Sequence, residues 1–544
     1  MKYRYLIVLV IGLALNSCQE FLEEIPTGSL TTQSTITSTE SGLALVAGAY
    51  RYLPQYCSGV PGFSTGILLG ALEYATGKAL TPMPVTEAWQ WDQDALTGTS
   101  SYMRTFWRNW FGGVKDCNLA LELLPKVTDL SADQKSKYIG EVRVLRAWYY
   151  FLLVRYFGDL PLVTSVLTDV NLAQSPRVSL KTIYDKVIIP DLKHAIEEST
   201  LPDAQSTDGH VTKYVARMIL ADVYLTCAGY PYQEVATDTT KAWCTDGLFS
   251  ASTYPVNSES AIDFLMKAKE QLDVLYGRYT LGTYDDLHDV KMNNKGEAIF
   301  QAQFLAGTMN NFLPWNTLPE GSQLAIRSVG METLVPRKSY YDSYDPADKR
   351  IQERQFFFTS DNIHSKWDPN ESPDPLFNRD VAFLYKYYDY EGFKITGYSS
   401  LNYTFYRYAE TLLMLTEVNW TLRQLGENVS DNDILKGINE VRRRALLSDY
   451  VVSDVDLLSI MGERAYELVF ENKMIWDQRR TRMCLVEGNG RWSKIEPFVG
   501  HKPENFSFTL TIKQLLSPIS VEEIDNNRQC NQNFGYTPKQ IGQN

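Results

Sequence analysis

The stretch from residue 131 to 157 admits one local structure. Val142, Leu145, Tyr149, Leu152, Leu153 and Tyr156 recur at helical spacing, which places them on one face of a helix but on both faces of a strand. Ser131 followed by Gln134 has the pattern of a capping box. Gly158-Asp159 supplies a stop, and Pro161, having no N–H to donate, bars resumption. Further amphipathic segments occupy roughly 101–124, 179–198, 210–228, 259–276, 404–425, 431–447 and 455–483, and a first one carries Leu43, Val46, Ala47 and Tyr50. A helix with one apolar face must bury it against a neighbour, so the series predicts a mainly α fold. The expected architecture is a stack of tetratricopeptide-like helical hairpins, an α-α superhelix, with a degenerate repeat consensus.

This helical scaffold is expected over about 38–280 and 400–544. The intervening stretch, about 280–400, has short strand-like runs such as Ala298 to Phe304, Pro- and Gly-marked loops, and aromatic clusters at Tyr340-Tyr341 and Tyr385 to Tyr390. It is expected to form a loop-rich irregular subdomain with short strands, because long loops in a compact body usually serve function or are disordered. Residues 54–100 read similarly, with Trp89 and Trp91 in a Gly-, Pro- and Thr-rich setting.

The N-terminus addresses compartment. Lys2 and Arg4 precede an apolar run from Leu6 to Leu15, about half of the ~20 residues that a spanning helix needs, so residues 1–17 read as a signal peptide. The run ends at Leu15-Asn16-Ser17-Cys18, which resembles a bacterial lipobox. That resemblance implies cleavage before Cys18, lipidation of its thiol and new amino group, and firm membrane attachment by several acyl chains. Residues 18–37 are rich in Ser, Thr and Gly and read as a flexible tether. Glu20, Glu23 and Glu24 within it resemble signals for display on the outer face of the outer membrane, though they would equally solvate a tether.

The formal charge is −13, and loss of Lys2 and Arg4 with the leader makes the remainder more negative still. Such a surface repels phosphate backbones and argues against nucleic acid as a partner. The seven Cys form no CxxC and no metal-ligand spacing; Cys227 and Cys244 are the nearest pair for oxidation in an exported chain, and free thiols fit equally well. There are 34 Tyr, 23 Phe and 11 Trp against only five His, a balance that favours a binding surface over metal or acid–base chemistry. Neither Asp285, Asp286 and Asp289 nor Asp342, Asp345 and Asp348 has the glycine and terminal glutamate of a calcium loop, and they read as solvated loop acids. No metal and no cofactor is expected.

Six segments occur in order along nearly all of the chain after the leader: Glu141–Val163, which ends in a GDxPL pattern; Gly209–Leu225; Tyr406–Glu417, with Thr416 where Ala is usual; Ile438–Ala445; Glu463–Arg480; and Leu516–Ser520 followed by Gln532–Tyr536. This set resembles the SusD/RagB family of surface nutrient-binding lipoproteins. The resemblance implies a shallow ligand site on loops that follow the first helix and on loops in mid-chain, and a SusC-like TonB-dependent transporter as partner, over which the protein acts as a lid. The positions in those loops are Trp89, Trp91 and Asp92, then Asn310, Asn311, Trp315 and Asn316, then Trp367, with Tyr74 and Tyr284 as further candidates. Aromatic rings beside amides suit sugars, whose C–H faces pack on rings and whose hydroxyls need hydrogen-bond partners. Trp107, Trp110, Trp148 and Trp476, inside amphipathic helices, are expected to be core residues.

Two rivals accompany this reading. The same architecture can carry a peptide or another nutrient. A lipid-anchored glycosidase would need a carboxylate pair, and Glu463, Glu467 and Glu471 lie at i, i+4 and i+8. Structural ion pairing with Arg464, Arg479 and Arg480 is the preferred account of those acids.

Overall fold

The computed structural model describes residues 38–57, 70–80, 87–166, 174–234, 253–319, 333–359, 382–389 and 392–536. Among these residues eight helices make the scaffold: α1 (Thr39–Tyr50), α2 (Ser101–Leu123), α3 (Ala132–Phe157), α4 (Ile189–Glu197), α5 (Lys213–Cys227), α6 (Glu259–Leu275), α7 (Tyr408–Gln424) and α8 (Asp431–Arg444). Each packs on the one before it in the chain, from α1 against α2 through to α7 against α8. That nearest-neighbour order is what stacked hairpins produce, and the fold is mainly α as the periodicity predicts.

Local signals account for the ends of these helices. Ser131 and Gln134 form the reciprocal capping box at the start of α3, and Gly158 ends it at φ 73°, a conformation closed to most side chains. Asp159 does more than stop the helix. It is fully buried, and its Oδ1 accepts the Leu180 N–H at 2.9 Å, tying the end of α3 to the next helical segment. That segment runs Leu180–Ile183, widens into one π turn over Tyr184–Ile188 just before Pro190, and continues as α4.

Three sequence expectations give way. The helix expected from about 404 begins at Tyr408, because Tyr403–Arg407 is a strand paired antiparallel with Ala298–Ala302. The segment expected over 455–483 is two helices, α9 (Leu457–Glu467) and α10 (Met474–Thr481), separated by a turn in which Phe470 (φ 57°) and Asn472 (φ 59°) adopt left-handed backbone. Glu471 therefore lies off the helix that carries Glu463 and Glu467. Beyond α10, Met483–Gly488 and Arg491–Pro497 form a hairpin where only helical packing was expected.

The insertion between α6 and α7 is built from short pieces. Ala79–Leu80 pairs with Val335–Pro336, and Phe357–Thr359 with Ala382–Leu384. A separate small core of Leu318, Val335, Phe358, Phe383, Tyr385, Tyr388 and Phe393 holds it together. Of the aromatic clusters noted in the sequence, Tyr385 and Tyr388 belong to this core, whereas Tyr340 and Tyr387 are buried in the main one. Cys117, Cys227, Cys484 and Cys530 are buried free thiols.

Candidate ligand-binding face

The first loop carries a short helix, Trp89–Asp92. Its two tryptophans have opposite fates. Trp91 is 9% exposed and packs between Tyr74 (5.9 Å between ring centroids) and Tyr102 (5.3 Å), whereas Trp89 is 47% exposed. The Asp92 carbonyl accepts the Ser507 N–H at 2.8 Å; burial pushes its carboxyl pKa up, and Arg337 opposes that shift. Tyr74 is buried and donates its hydroxyl to the Thr333 carbonyl.

In mid-chain, Asn311 and Asn316 are each 2% exposed. Asn311 donates to the Leu401 carbonyl and accepts the Leu313 N–H; Asn316 donates to the Phe312 carbonyl and accepts from the Thr333 hydroxyl. Tyr284 is buried beneath the Arg444 guanidinium and donates to Glu467 Oε2 at 3.1 Å. Trp91, Tyr74, Asn311, Asn316 and Tyr284 are therefore framework residues, with rings packed or polar atoms used internally, and they offer a ligand no surface. Trp367 lies outside the described residues. Trp107, Trp110, Trp148 and Trp476 are buried, as their helical periodicity predicts.

What the framework presents is a face made by two adjacent loops. Ala306 N–H donates to Ser400 Oγ at 2.9 Å, Asn311 N–H to the Ser399 carbonyl at 3.2 Å, and the Trp315 indole N–H to the Gly397 carbonyl at 3.1 Å. Asn310 Oδ1 accepts the Gly307 N–H at 2.7 Å and closes the 305–309 turn. Stitched in this way, the loops expose Leu305 (61%), Met309 (39%), Ile395 (64%) and Tyr398 (43%), with the Trp315 ring half-buried beside Phe312 and Phe393. Leu305, Met309, Ile395 and Tyr398 escaped the sequence reading. Their signal was apolar side chains flanking Gly307 and Gly397, both at positive φ. The first loop joins the same frame: Trp91 leans on Tyr74, Tyr74 holds Thr333, and the Thr333 N–H donates to the Asn316 carbonyl at 3.0 Å. Exposed rings and aliphatic groups near a few amides can adsorb the flat apolar face of a sugar ring.

The carboxylates of Glu463–Arg480 behave differently. Glu467 accepts from Arg407 at 2.7 Å and Arg350 at 3.2 Å and also pairs with Arg444; Glu463 pairs with Arg350 at 2.7 Å and Arg442 at 3.0 Å; and Glu471 pairs with Arg407 and Lys386. Asp348 is buried against Arg350, not solvated as expected. Burial alone would raise the pKa of Glu467, but Arg444, Arg407 and Arg350 together hold it well below the ordinary carboxylate range. A general acid for glycoside cleavage needs the opposite shift and a substrate beside it. Among the described residues no group of three or more His, Cys, Asp and Glu is placed to hold a metal ion, and no helix is long and apolar enough to cross a membrane.

Comparison with known proteins gives a consistent result. The SusD family model matches residues 334–536, and a model described as starch-binding associating with outer membrane matches residues 74–225. A SusD superfamily protein from Parabacteroides distasonis is 31% identical, with a TM-score of 0.79 over 92% of this chain and 100% of its own. Surface glycan-binding protein A from Bacteroides uniformis is 20% identical, with a TM-score of 0.70 over 91% of this chain and 99% of its own. A SusD-like protein from Bacteroides ovatus is 24% identical over 510 residues, 88% of this chain and 82% of that protein. With its motifs in order, its helices stacked in sequence and this full-length likeness, the chain belongs to the SusD family.

Proposed function

We propose that the protein is a lipid-anchored, cell-surface glycan-binding lipoprotein. It captures an oligosaccharide on the face built by Trp315, Tyr398 and Ile395, with Trp89 and Asn310 contributing, and delivers it to a SusC-like TonB-dependent transporter in the outer membrane. It breaks no bond. The observation that carries this reading is the exposed aromatic and aliphatic surface of the stitched loops, on a frame in which Asn311, Asn316 and Tyr74 use their polar atoms internally. A relative of the same fold is named as glycan-binding, which supports the cargo class. The arginine-paired carboxylates of the Glu463–Arg480 motif, with Glu467 and Glu471 held below the ordinary carboxylate range, support the absence of catalysis. Cys18 as the lipidated residue and residues 18–37 as the tether rest on the lipobox-like sequence, and a tethered body is free to swing over a channel mouth.

Calorimetric titration with a panel of oligosaccharides tests the reading. The protein binds at least one glycan. Tyr398→Ala, at a position too exposed to unfold the chain, weakens that binding about tenfold, the equivalent of ~1.4 kcal/mol, and no new reducing ends form. Binding to peptides and to no glycan would transfer the same architecture to a peptide cargo, and release of reducing ends would remove the non-catalytic reading.

A further inference from the structure

Away from the ligand face, Arg479 is a buried charge without its opposite, as Arg177 and Arg337 are too among the described residues. Arg479 is 9% exposed. Its guanidinium donates to two main-chain carbonyls, Arg155 at 3.2 Å and Gln514 at 3.3 Å, and lies 5.6 Å from the centre of the Trp476 ring. Its Nε has no hydrogen-bond partner, and among the described residues no carboxylate lies within ion-pair distance.

The surrounding cations are all answered. Arg155 meets Asp222 at 3.3 Å, Arg464 meets Asp477 at 2.8 Å, Lys473 meets Glu410 at 2.7 Å, Arg480 meets Glu417 at 2.7 Å, and Arg482 meets Glu234. Five cations face five carboxylates, and Arg479 is left with one uncompensated positive charge. Burial, with Arg482 repelling from nearby, pushes its pKa down to about 10, so it still carries that charge at neutral pH.

Beside Arg479 is a cavity of about 20 Å³ lined also by Arg155, Tyr184, Tyr230, Trp476 and Leu515. Arg155 Nε, on the same wall, is likewise without a partner. The space holds one body the size of a water molecule.

We propose that this cavity is a binding site for one small monovalent anion of the halide class, held by Arg479 and Arg155 and serving to neutralise the WDQRR end of the family motif. A water molecule would satisfy the donors but leave the charge standing, and an isolated ion in a low-dielectric interior is strongly unfavourable.

Crystals of the mature protein equilibrated with millimolar bromide test this. An anomalous-scattering peak is expected in the cavity within hydrogen-bond reach of Arg479. In solution, the melting temperature is expected to be higher in chloride than in gluconate at equal ionic strength, and Arg479→Gln removes both the peak and the difference. If that variant does not fold, the wild-type peak and its halide dependence decide alone. A water in the cavity with no halide dependence, a carboxylate of the chain itself seated on Arg479, or a peak confined to molar bromide, an adventitious ion only, each overturns the proposal.

Discussion

Arg407 Nη1 donates to Glu467 Oε1 at 2.7 Å with both side chains at most 1% exposed. The two residues bring together the strand before α7 and the last residue of α9, and the same carboxylate receives Arg350 from the inserted region. One glutamate thus pins three parts of the chain. Glu467→Ala would strand the Arg407, Arg350 and Arg444 charges in the interior, and breaking a buried pair from one side costs about 3–5 kcal/mol. Urea denaturation should show a loss of that size with the far-ultraviolet spectrum preserved below the transition. A loss under about 1 kcal/mol, typical of exposed pairs, would contradict the account.

The same carboxylate sets an acid limit. Its folded pKa lies well below its unfolded value, so its contribution to stability is present in full above the ordinary glutamate range of about 4.3. That contribution is lost as pH falls through this range toward the folded value. The melting temperature of the wild type should fall steeply below about pH 4.5, and that of Glu467→Gln should fall less.

The scaffold was legible because α2, α3, α5, α6 and α8 each need only a 3.6-residue apolar period, which one segment carries by itself. The break after Glu467 was not, because left-handed Phe470 and Asn472 are compelled by tertiary contacts: Tyr387 donates to the Phe470 carbonyl and the Asn472 N–H to Glu73 Oε1. The candidate face was half legible. Trp89 and Trp91 have the same residue type and nearly the same neighbours, and only the distant Tyr74 and Tyr102 decide which one is buried. Tyr398 joins Trp315 through a bond to Gly397 across 82 residues of sequence, a proximity that no periodicity encodes.

Helix α8 crosses α7 at Gly437. A Cβ built there would lie 2.1 Å from the Leu412 carbonyl oxygen and 2.9 Å from Thr416 Oγ1. Thr416, where the family usually has Ala, accepts the Ile438 N–H at 3.0 Å, so the contact is polar as well as close. Gly437→Ala should push the helices apart and destabilise the protein by about 1–3 kcal/mol. Thr416→Ala at this same crossing should be much milder, because it leaves the backbone approach intact. Comparison of the two denaturation midpoints checks the steric cause.

A second titrating group joins α1 and α3 to the start of α5. Glu141 is fully buried, and its Oε2 accepts the Tyr50 hydroxyl and contacts His210 Nδ1, both at 2.7 Å. The hydrogen bond to Glu141 raises the His210 pKa against the effect of burial. The stabilisation is therefore full below the unfolded histidine value of about 6.5 and disappears as pH rises through the raised folded pKa. His210 is 40% exposed on its side chain, so solvent screening keeps the effect below about 1 kcal/mol. Melting temperature should decline as pH rises above the unfolded histidine value of about 6.5, and His210→Gln should flatten that decline.

Trp89 and Trp91 allow stability and binding to be separated within four residues of chain. Trp91 is wedged between Tyr74 and Tyr102, so Trp91→Ala opens a cavity and costs about 3–5 kcal/mol. Trp89 is 47% exposed, and Trp89→Ala should change stability by less than about 0.5 kcal/mol, as surface substitutions do. If the proposed face includes Trp89, the order reverses for glycan affinity measured below the melting transition: Trp89→Ala weakens binding severalfold, and Trp91→Ala does so only as far as it disturbs the Tyr74–Thr333–Asn316 link to the Trp315 loop. Unchanged affinity in Trp89→Ala, with loss in Tyr398→Ala, would confine the ligand to the 305–315 and 395–400 loops and remove the first loop from the site.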